Sequence, residues 1–234
     1  AGIEIDDYNG IITTSYNIGD GITGIVGTIL DYNGMLQFTP KEDPGTATST
    51  GNQIVPIDLT VGEFLANSDA YESRIIKFTK ATFVDAGNTF QNGKNYNLVQ
   101  GDDTTIFRTQ YYDLDYINTV IPELADVTAI GYAYRSTPEV VSRFLADIVE
   151  VILNSEKDIL TFVLTEQTGD AVINATDHTV DIEVVEGTNV TTLSPQITVS
   201  AGASVDPESG TQVDFTNPVT YTATAEDGTT QEWT

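Results

Sequence analysis

The sequence contains no cysteine and a single histidine, His178. Disulfide bridges, thiolate-bound metals and cysteine nucleophiles are therefore all excluded, and no zinc site of the usual Cys and His spacing can be assembled. His178 lies between Asp177 and Thr179 at the start of a strand pattern. A solvated turn position is the favoured interpretation for this histidine, ahead of a role as metal ligand or general base.

Basic residues are also scarce, because 9 Lys and Arg face 35 Asp and Glu and leave a formal net charge of −26. Acidic residues are in excess throughout the chain, and the net charge is −7 over residues 1–58, −6 over 59–152 and −13 over 153–234. Such a field repels phosphate backbones and anionic lipid head groups, so nucleic acid is excluded as a partner. No apolar run reaches the ~18 residues of a membrane span. Proteins or glycans are the expected partners.

An internal repeat is the strongest evidence in the sequence for how the chain is organised. The segment DVTAIGYAY at 126–134 repeats the pattern of DGITGIVG at 20–27, and residues 96–107 match residues 3–14 as strand, acidic turn and strand. Both copies predict an acidic turn followed by an alternating strand, whose small residues let another backbone come close. Two copies of one β module are therefore expected.

Turn and cap signals define the two modules. Asn9-Gly10, Asn33-Gly34 and Asn92-Gly93 predict hairpin turns, and residues 41–54 predict a loop. Thr60 and Glu63 have the capping-box spacing of a short helix. The pattern then predicts a long bent strand at 74–84, strands at 96–99 and 104–111, a short helix or ordered loop at 112–121, and strands at 126–134 and 141–151. This connectivity predicts an OB barrel over residues 59–152 and an incomplete OB-like module over residues 1–58.

Residues 153–234 have a different character, with short strands separated by Gly, Pro, Asp and Asn turns. The predicted strands are 159–164, 171–173, 178–184, 196–199, 212–215 and 219–225. Regular spacing without a helical period predicts a β-sandwich. The fold class predicted for the whole chain is therefore all-β, with OB-like barrel modules followed by this sandwich.

Two stretches carry a family resemblance. Residues 1–152 resemble tandem OB-like modules of surface-exposed and secreted Bacteroidetes proteins, through Gly19-Asp20, residues 22–25, Gly27 and the segment MLQFTP at 35–40. Residues 157–234, through LSPQITVSAGASVDPESG at 193–210 and the segment 214–228, resemble the immunoglobulin-like module of Bacteroidetes surface lipoproteins and glycan-uptake proteins. The resemblance implies an extracellular or outer-membrane surface location and a spacer or scaffold role for the sandwich. It brings no catalytic residues.

Aromatic residues in the second module are the candidate ligand-binding groups. They are Tyr111, Tyr112, Tyr116, Tyr132 and Tyr134, with Asp113 and Asp115 as hydroxyl acceptors beside them. Aromatic faces on an OB surface stack on sugar rings or bases, while tyrosines of small barrels also belong to the edge of the core. Because a basic stripe is missing, a glycan is the favoured ligand over a nucleic acid.

Two acidic turns are the candidate metal ligands, and no other cofactor is predicted. Asp6 and Asp7 lie in one turn, and Asp102 and Asp103 lie in the other. Carboxylates and carbonyls of such turns suit Ca²⁺. Neither turn has the regular spacing of an EF-hand loop, so solvated hairpin turns are the competing interpretation.

No catalytic motif stands out. The sequence has no Gly-x-Ser-x-Gly elbow and no usable histidine partner for a serine, and no pair of carboxylates is marked by spacing for glycoside hydrolysis. The predicted function is a non-enzymatic surface or secreted modular protein for attachment, display or glycan binding. Two alternatives remain, a structural subunit of a fibre or cell-surface layer and an accessory region of a larger extracellular hydrolase.

Both ends of the sequence predict missing strands. The first module has no counterpart of the long strand at 74–84, and the strand at 229–234 stops where the resembling family continues with alternating valines. Unpaired strand edges and solvent-exposed apolar faces lower the stability of a fold, because backbone groups lack partners and apolar surface stays in water. A longer repetitive polypeptide is expected, or neighbouring subunits that donate the strands by β-strand addition.

Overall fold

The structure is a computed structural model and describes residues 3–110 and 114–234. The all-β prediction is confirmed, since strands dominate and the helices are short. Ala1–Val151 and Ile152–Thr234 form two compact units. The finer division at residues 58 and 152 into three domains stays a prediction. Within the described ranges no helix is long and apolar enough to cross a bilayer.

A three-stranded sheet opens the first unit. Its strands are β1 (Glu4–Ile5), β2 (Gly27–Tyr32) and β3 (Met35–Pro40), in the order β1-β3-β2. β1 runs parallel to β3, and β2 runs antiparallel to it. Asn33 and Gly34 join β2 to β3 with φ angles of 56° and 91°, as a type I′ turn requires. The hairpin predicted at Asn33-Gly34 is therefore confirmed.

The hairpin predicted at Asn9-Gly10 is wrong. A turn forms there, with Gly10 N donating to the Asp7 carbonyl oxygen at 3.0 Å, but residues 11–14 form no strand. Their amides donate to carboxylates instead, those of residues 11 and 12 to Asp7 and those of residues 13 and 14 to Asp43. Hydrogen bonds to Asp43 from the Thr13 hydroxyl, and then from the Gly45 and Thr13 amides, hold the pKa of Asp43 far below its ordinary range. Side-chain acceptors thus replace a neighbouring strand.

The rest of the first unit is a barrel with short helices at its start. Its elements are β4 (Ile57–Asp58), α1 (Val61–Ala66), α2 (Ser68–Tyr71), β5 (Ile75–Phe83), β6 (Asn95–Gln100), β7 (Asp103–Arg108), β8 (Leu124–Tyr134), β9 (Thr137–Val141), a 3₁₀ turn (Leu145–Asp147) and β10 (Ile148–Glu150). Five strands close in the order β5-β6-β7-β9-β8-β5, and β7 and β9 form the parallel pair among them. The long segment before β8 therefore connects β7 to a strand that is not its neighbour.

A bend in β5 closes the barrel, because one strand pairs with β8 over most of its length and with β6 at its end. The register shifts between Phe78 and Ala81, where Lys80 has φ 52°. Asp126 anchors this bulge by accepting the Lys80 amide at 3.0 Å and pairing with Lys77 Nζ at 2.8 Å. The Lys77 contact is the main cause that lowers the pKa of Asp126. The long bent strand predicted here is confirmed.

Helix α1 starts at the predicted capping box. Thr60 Oγ1 accepts the Glu63 amide at 3.1 Å, and Glu63 Oε2 accepts the Thr60 amide at 2.7 Å. The helix buries Phe64 against Phe78, with ring centres 5.9 Å apart. Further edge-to-face contacts join the aromatic rings of the barrel core, namely Phe83, Phe90, Tyr96, Phe107 and Tyr116. Such rings supply most of the buried apolar area of a small barrel.

The predicted strand at 141–151 is partly wrong. β9 starts earlier, directly after a two-residue turn in which Arg135 and Ser136 have φ angles of 51° and 62°. The chain then leaves the sheet and returns as β10, which pairs with the start of β8. The close backbone approach predicted for the small residues of 126–134 is seen at Gly131, which contacts the Tyr71 carbonyl oxygen so closely that no side chain fits there.

The second unit contains β11 (Ile159–Val163), β12 (Val172–Asn174), β13 (Thr179–Asp181), a 3₁₀ turn (Val190–Thr192), β14 (Gln196–Val199), β15 (Ser204–Asp206), β16 (Tyr221–Thr224) and β17 (Thr230–Trp233). β11 pairs with β14, β12 with β13, and β16 with both β15 and β17. These layers enclose a core around Phe162, Tyr221 and Trp233. The strand predicted at 212–215 is wrong, because Val213 makes only an isolated bridge to Leu193.

Candidate functional site

Outward side chains of four barrel strands line up on one surface, which we call the outer barrel face. Asn97 of β6 pairs with Ile106 of β7, Ile106 with Glu139 of β9, and Glu139 with Tyr132 of β8. Neighbouring residues on these strands, such as Phe107 and Val140, point into the core. Because side chains alternate along a strand, the row of four must share the opposite surface. The next row contains Asn95, Arg108, Val141 and Ile130.

Arg108 is held in place on this face by two carboxamides. Its Nη1 donates to Asn95 Oδ1 at 2.6 Å, and its Nε donates to Gln110 Oε1 at 2.6 Å. Asn95 and Asn97 are exposed. A guanidinium and neighbouring side-chain amides present both donors and acceptors, which is the set that recognises hydroxyl groups.

Glu139 lies beneath these groups and is only 3% exposed. Its Oε2 has no hydrogen-bond partner within the part of the chain that the structure describes. Burial raises the pKa of the Glu139 carboxyl, and the charge of Arg108 opposes that shift. Sequence reasoning missed Glu139, Arg108 and Asn95. Alternating polar and apolar residues at 104–108 and 137–141 predict which side chains point outward. They do not predict that β7 pairs with β9.

The predicted tyrosines of β8 both belong to this face, with different exposure. Tyr134 is 43% exposed, and the guanidinium carbon of Arg135 lies 5.2 Å from its ring centre. Tyr132 is 8% exposed and packs with Met35 and Val141. Tyr134 therefore offers an accessible ring at the edge of the face, while Tyr132 forms its floor.

The two other predicted ligand residues that the structure describes, Tyr116 and Asp115, bond to the segment that follows β9. Tyr116 is fully buried, and its hydroxyl donates to the Ser142 carbonyl oxygen at 3.1 Å. Asp115 Oδ1 accepts the Leu145 amide at 2.6 Å. Tyr111, Tyr112 and Asp113 lie outside the described residues. The Tyr116 ring belongs to the barrel core, so it is not available to stack on a ligand.

The two acidic turns use their carboxylates differently. Asp7 accepts the Ile11 and Ile12 amides, one with each oxygen, at 2.8 and 2.7 Å, and Asp6 donates its amide to the Phe38 carbonyl. Asp102 lies in the turn between β6 and β7, and Asp103 begins β7. Over residues 3–110 and 114–234 no group of three or more His, Asp or Glu side chains could hold a metal ion. Calcium binding by the carboxylates and carbonyls of these turns stays a prediction.

His178 lies in a turn, as expected, but it is half-buried rather than solvated. Its ring packs edge-on against Trp233 with centres 5.1 Å apart, and its Nδ1 is buried without a hydrogen-bond partner in the described chain. The backbone adopts φ 55° there. The contacts of this histidine are those of a packing residue in the second unit.

Comparisons with known proteins bear mainly on the second unit. No curated protein sequence matches the chain significantly. A crystal structure of a candidate glycoside hydrolase from Bacteroides thetaiotaomicron is similar at 37% identity, over 36% of this chain and 25% of that one. This chain thus spans a quarter of that protein, and the TM-score between the two structures is 0.32. Residues 159–234 match the family described as "SGBP, N-terminal", a domain of cell-surface glycan-binding proteins.

Proposed function

We propose that this protein is a non-enzymatic glycan-binding protein of the cell surface or the secreted fraction. The observation that carries the proposal is the match of residues 159–234 to the N-terminal domain of surface glycan-binding proteins. In this proposal the immunoglobulin-like unit acts as a spacer and the barrel supplies the binding surface.

The outer barrel face is the proposed glycan site. OB barrels bind oligosaccharides on the face of their second and third strands, and β6 and β7 occupy those positions in this barrel. The exposed ring of Tyr134 provides a stacking surface, and Asn97 and Arg108 provide hydrogen bonds to hydroxyl groups. Residues 59–152 carry a net charge of −6, which disfavours uronic acids and sulfated sugars. A neutral glycan is the proposed ligand.

A glycan array followed by calorimetry tests the proposal. Neutral polysaccharides should bind, and Tyr134→Ala and Asn97→Ala should each weaken binding. Losing a stacked ring or a ligand hydrogen bond costs about 1 kcal/mol, which is roughly a fivefold loss of affinity. Tyr8→Ala is the matched control, because Tyr8 is 92% exposed and lies outside the barrel strands. An array without any bound glycan, or equal affinities in all three variants, would overturn the assignment.

Protein attachment is a second candidate function, favoured by the small sheet. β2 is an edge strand whose side chains are mostly exposed, and Ile29, Leu30 and Tyr32 expose 67%, 53% and 54% of their surface. Apolar edge strands are rarely left open in monomers, since they pair readily with other chains. Light scattering over a range of concentrations tests this role. Self-association that Ile29→Lys abolishes would support it, and a monomer at all concentrations would argue for glycan binding alone.

A further inference from the structure

Glu139 is a buried carboxyl that none of the glycan contacts proposed above uses. It is 3% exposed, and its Oε2 has no hydrogen-bond partner in the described part of the chain. Asp147 shows how a buried carboxyl is satisfied elsewhere in the barrel, since it is 8% exposed and accepts bonds from Arg143 Nε and Nη2 at 3.0 and 2.8 Å. A buried polar group without a partner costs free energy until a donor reaches it. Glu139 therefore points to a donor that a bound molecule supplies.

The Glu139 carboxyl belongs to the outer barrel face and not to the core. Glu139 pairs in register with Ile106 of β7 and with Tyr132 of β8, and Asn97 of β6 follows beyond Ile106. The next residue along β9, Val140, is part of the barrel core. Because side chains alternate along a strand, Glu139 is directed to the surface that carries the proposed glycan site. Its unfilled acceptor thus lies in the floor of that site.

Arg108 supplies hydrogen-bond donors beside this acceptor. Its charge acts on Glu139, but the hydrogen bonds of its guanidinium go to the carboxamide oxygens of Asn95 and Gln110. A guanidinium carries five N–H groups, so these bonds leave further donors on the same side chain. The outer barrel face therefore presents an acceptor and a donor on the adjacent strands β9 and β7.

Apolar side chains flank the same acceptor. Ile106 lies between Asn97 and Glu139 in the row and is half-buried, and Tyr132 on the other side is 8% exposed. A ligand hydroxyl would satisfy the carboxyl but would leave the accessible surface of Ile106 in water. A group that combines an N–H donor, a carbonyl acceptor and a methyl group matches all three features of this surface. Among uncharged sugar substituents, the acetamido group has this combination.

We propose that Glu139 is a specificity-determining residue of the outer barrel face and that the glycan it selects carries N-acetyl groups. The acetamido N–H donates to Glu139 Oε2, the acetamido carbonyl accepts from Arg108, and the methyl group packs on Ile106. An N-acetylated sugar is uncharged, so it meets no repulsion from the net charge of −6 over residues 59–152. This inference rests on the proposed glycan-binding function and names the class of its ligand.

Two tetrasaccharides of equal length test this selectivity by calorimetry on the full chain. Fully N-acetylated chitotetraose and cellotetraose share one backbone and one linkage, and they differ in having an acetamido group or a hydroxyl at the same ring carbon. Chitotetraose should bind about tenfold more tightly or better, because a site with a buried polar group discriminates against a ligand that does not complete it.

Three variants separate the acceptor from its surroundings, each with the fold checked by circular dichroism. Glu139→Leu removes the acceptor and should bring the affinities for the two tetrasaccharides to within about twofold of each other. Glu139→Gln retains a carbonyl oxygen of the same reach and should keep the preference for chitotetraose. Glu150→Leu is the matched control, because Glu150 is exposed on β10, and it should leave both affinities unchanged.

The outcomes distinguish this inference from the function on which it rests. A glycan array without any bound glycan would overturn both. Neutral glycans that bind without a preference for acetamido groups, or a preference that survives Glu139→Leu, would overturn only the role of Glu139. Loss of the preference in Glu139→Gln as well would show that packing sets it, and tighter binding of the deacetylated tetramer would show that the recognised group is a cation. Either result would overturn the assignment of an acetamido donor.

Discussion

Met35 of β3 packs against Tyr132 of β8, with Val141 beside them, and the three side chains are 3%, 8% and 0% exposed. In the same region the Leu36 amide donates to the side-chain Oε1 of Glu72 at 2.6 Å. The small sheet is therefore attached to the outer surface of the barrel by a buried apolar cluster. Tyr132 and Val141 belong to the outer barrel face, so this contact covers part of that face.

Met35→Ala should destabilise the first unit by about 2 kcal/mol or more, because it removes a buried side chain and leaves a cavity. Urea unfolding followed by far-UV circular dichroism measures the loss. Ile29→Ala is the control, since Ile29 is on the same sheet but 67% exposed, and it should change stability little. Equal effects of the two substitutions would show that the Met35 cluster does not stabilise the unit.

The same substitution should have different effects on stability at two tyrosines. Tyr116→Phe removes a hydroxyl that donates to Ser142 and should cost about 1 kcal/mol. Tyr221→Phe removes a buried hydroxyl that has no hydrogen-bond partner among the described residues, and it should leave stability equal or higher. Circular dichroism follows the first variant, and Trp233 fluorescence follows the second unit. A clear loss of stability in Tyr221→Phe would reveal a hydrogen bond that the structure does not contain.

Glu139 should make the stability of the first unit depend on pH. Burial raises the pKa of its carboxyl in the native state, so the unfolded chain binds fewer protons than the native one between the two pKa values. The contribution of Glu139 to stability is therefore greatest at low pH and falls as the pH rises through that interval. Glu139→Gln removes this titration and should match the wild type near pH 4 but exceed it at pH 7.

Urea unfolding at the two pH values measures this difference. Glu150→Gln is the matched control, because Glu150 is exposed on β10, and it should show no such divergence. A Glu139→Gln variant that is less stable than the wild type at pH 7 would mean that the ionised carboxylate is stabilised by Arg108.

Single-stranded DNA should not bind the barrel, although many OB barrels bind nucleic acid. Residues 59–152 carry a net charge of −6, so binding would release no counterions from the phosphates on balance. A titration of labelled oligonucleotide at low salt, read by fluorescence anisotropy, should remain flat. Micromolar affinity would contradict the electrostatic argument and reopen the outer barrel face as a nucleic-acid surface.

Turn chemistry explains where sequence reasoning succeeded and where it failed. Asn33 and Gly34 adopt positive φ angles without strain, so their hairpin could be predicted. Arg135 and Ser136 adopt the same kind of turn with residues that carry no such signal. The β8 to β9 hairpin was therefore missed and the following strand was misplaced. Asn9-Gly10 does carry a turn signal, but the hairpin predicted there does not form. The amides that a second strand would have used donate to side-chain carboxylates instead.

The sequence by itself determined the features that depend on composition and near neighbours, such as the acidic charge, the all-β class and the capping box at Thr60. Only the tertiary structure decided which tyrosine is buried and which is accessible. Tyr116 is fully buried, whereas Tyr134 is 43% exposed. Barrel closure brings Arg108 and Glu139 to one face through the pairing of β7 with β9. That pairing joins residues far apart in the chain, and local periodicity carries no information about such partners.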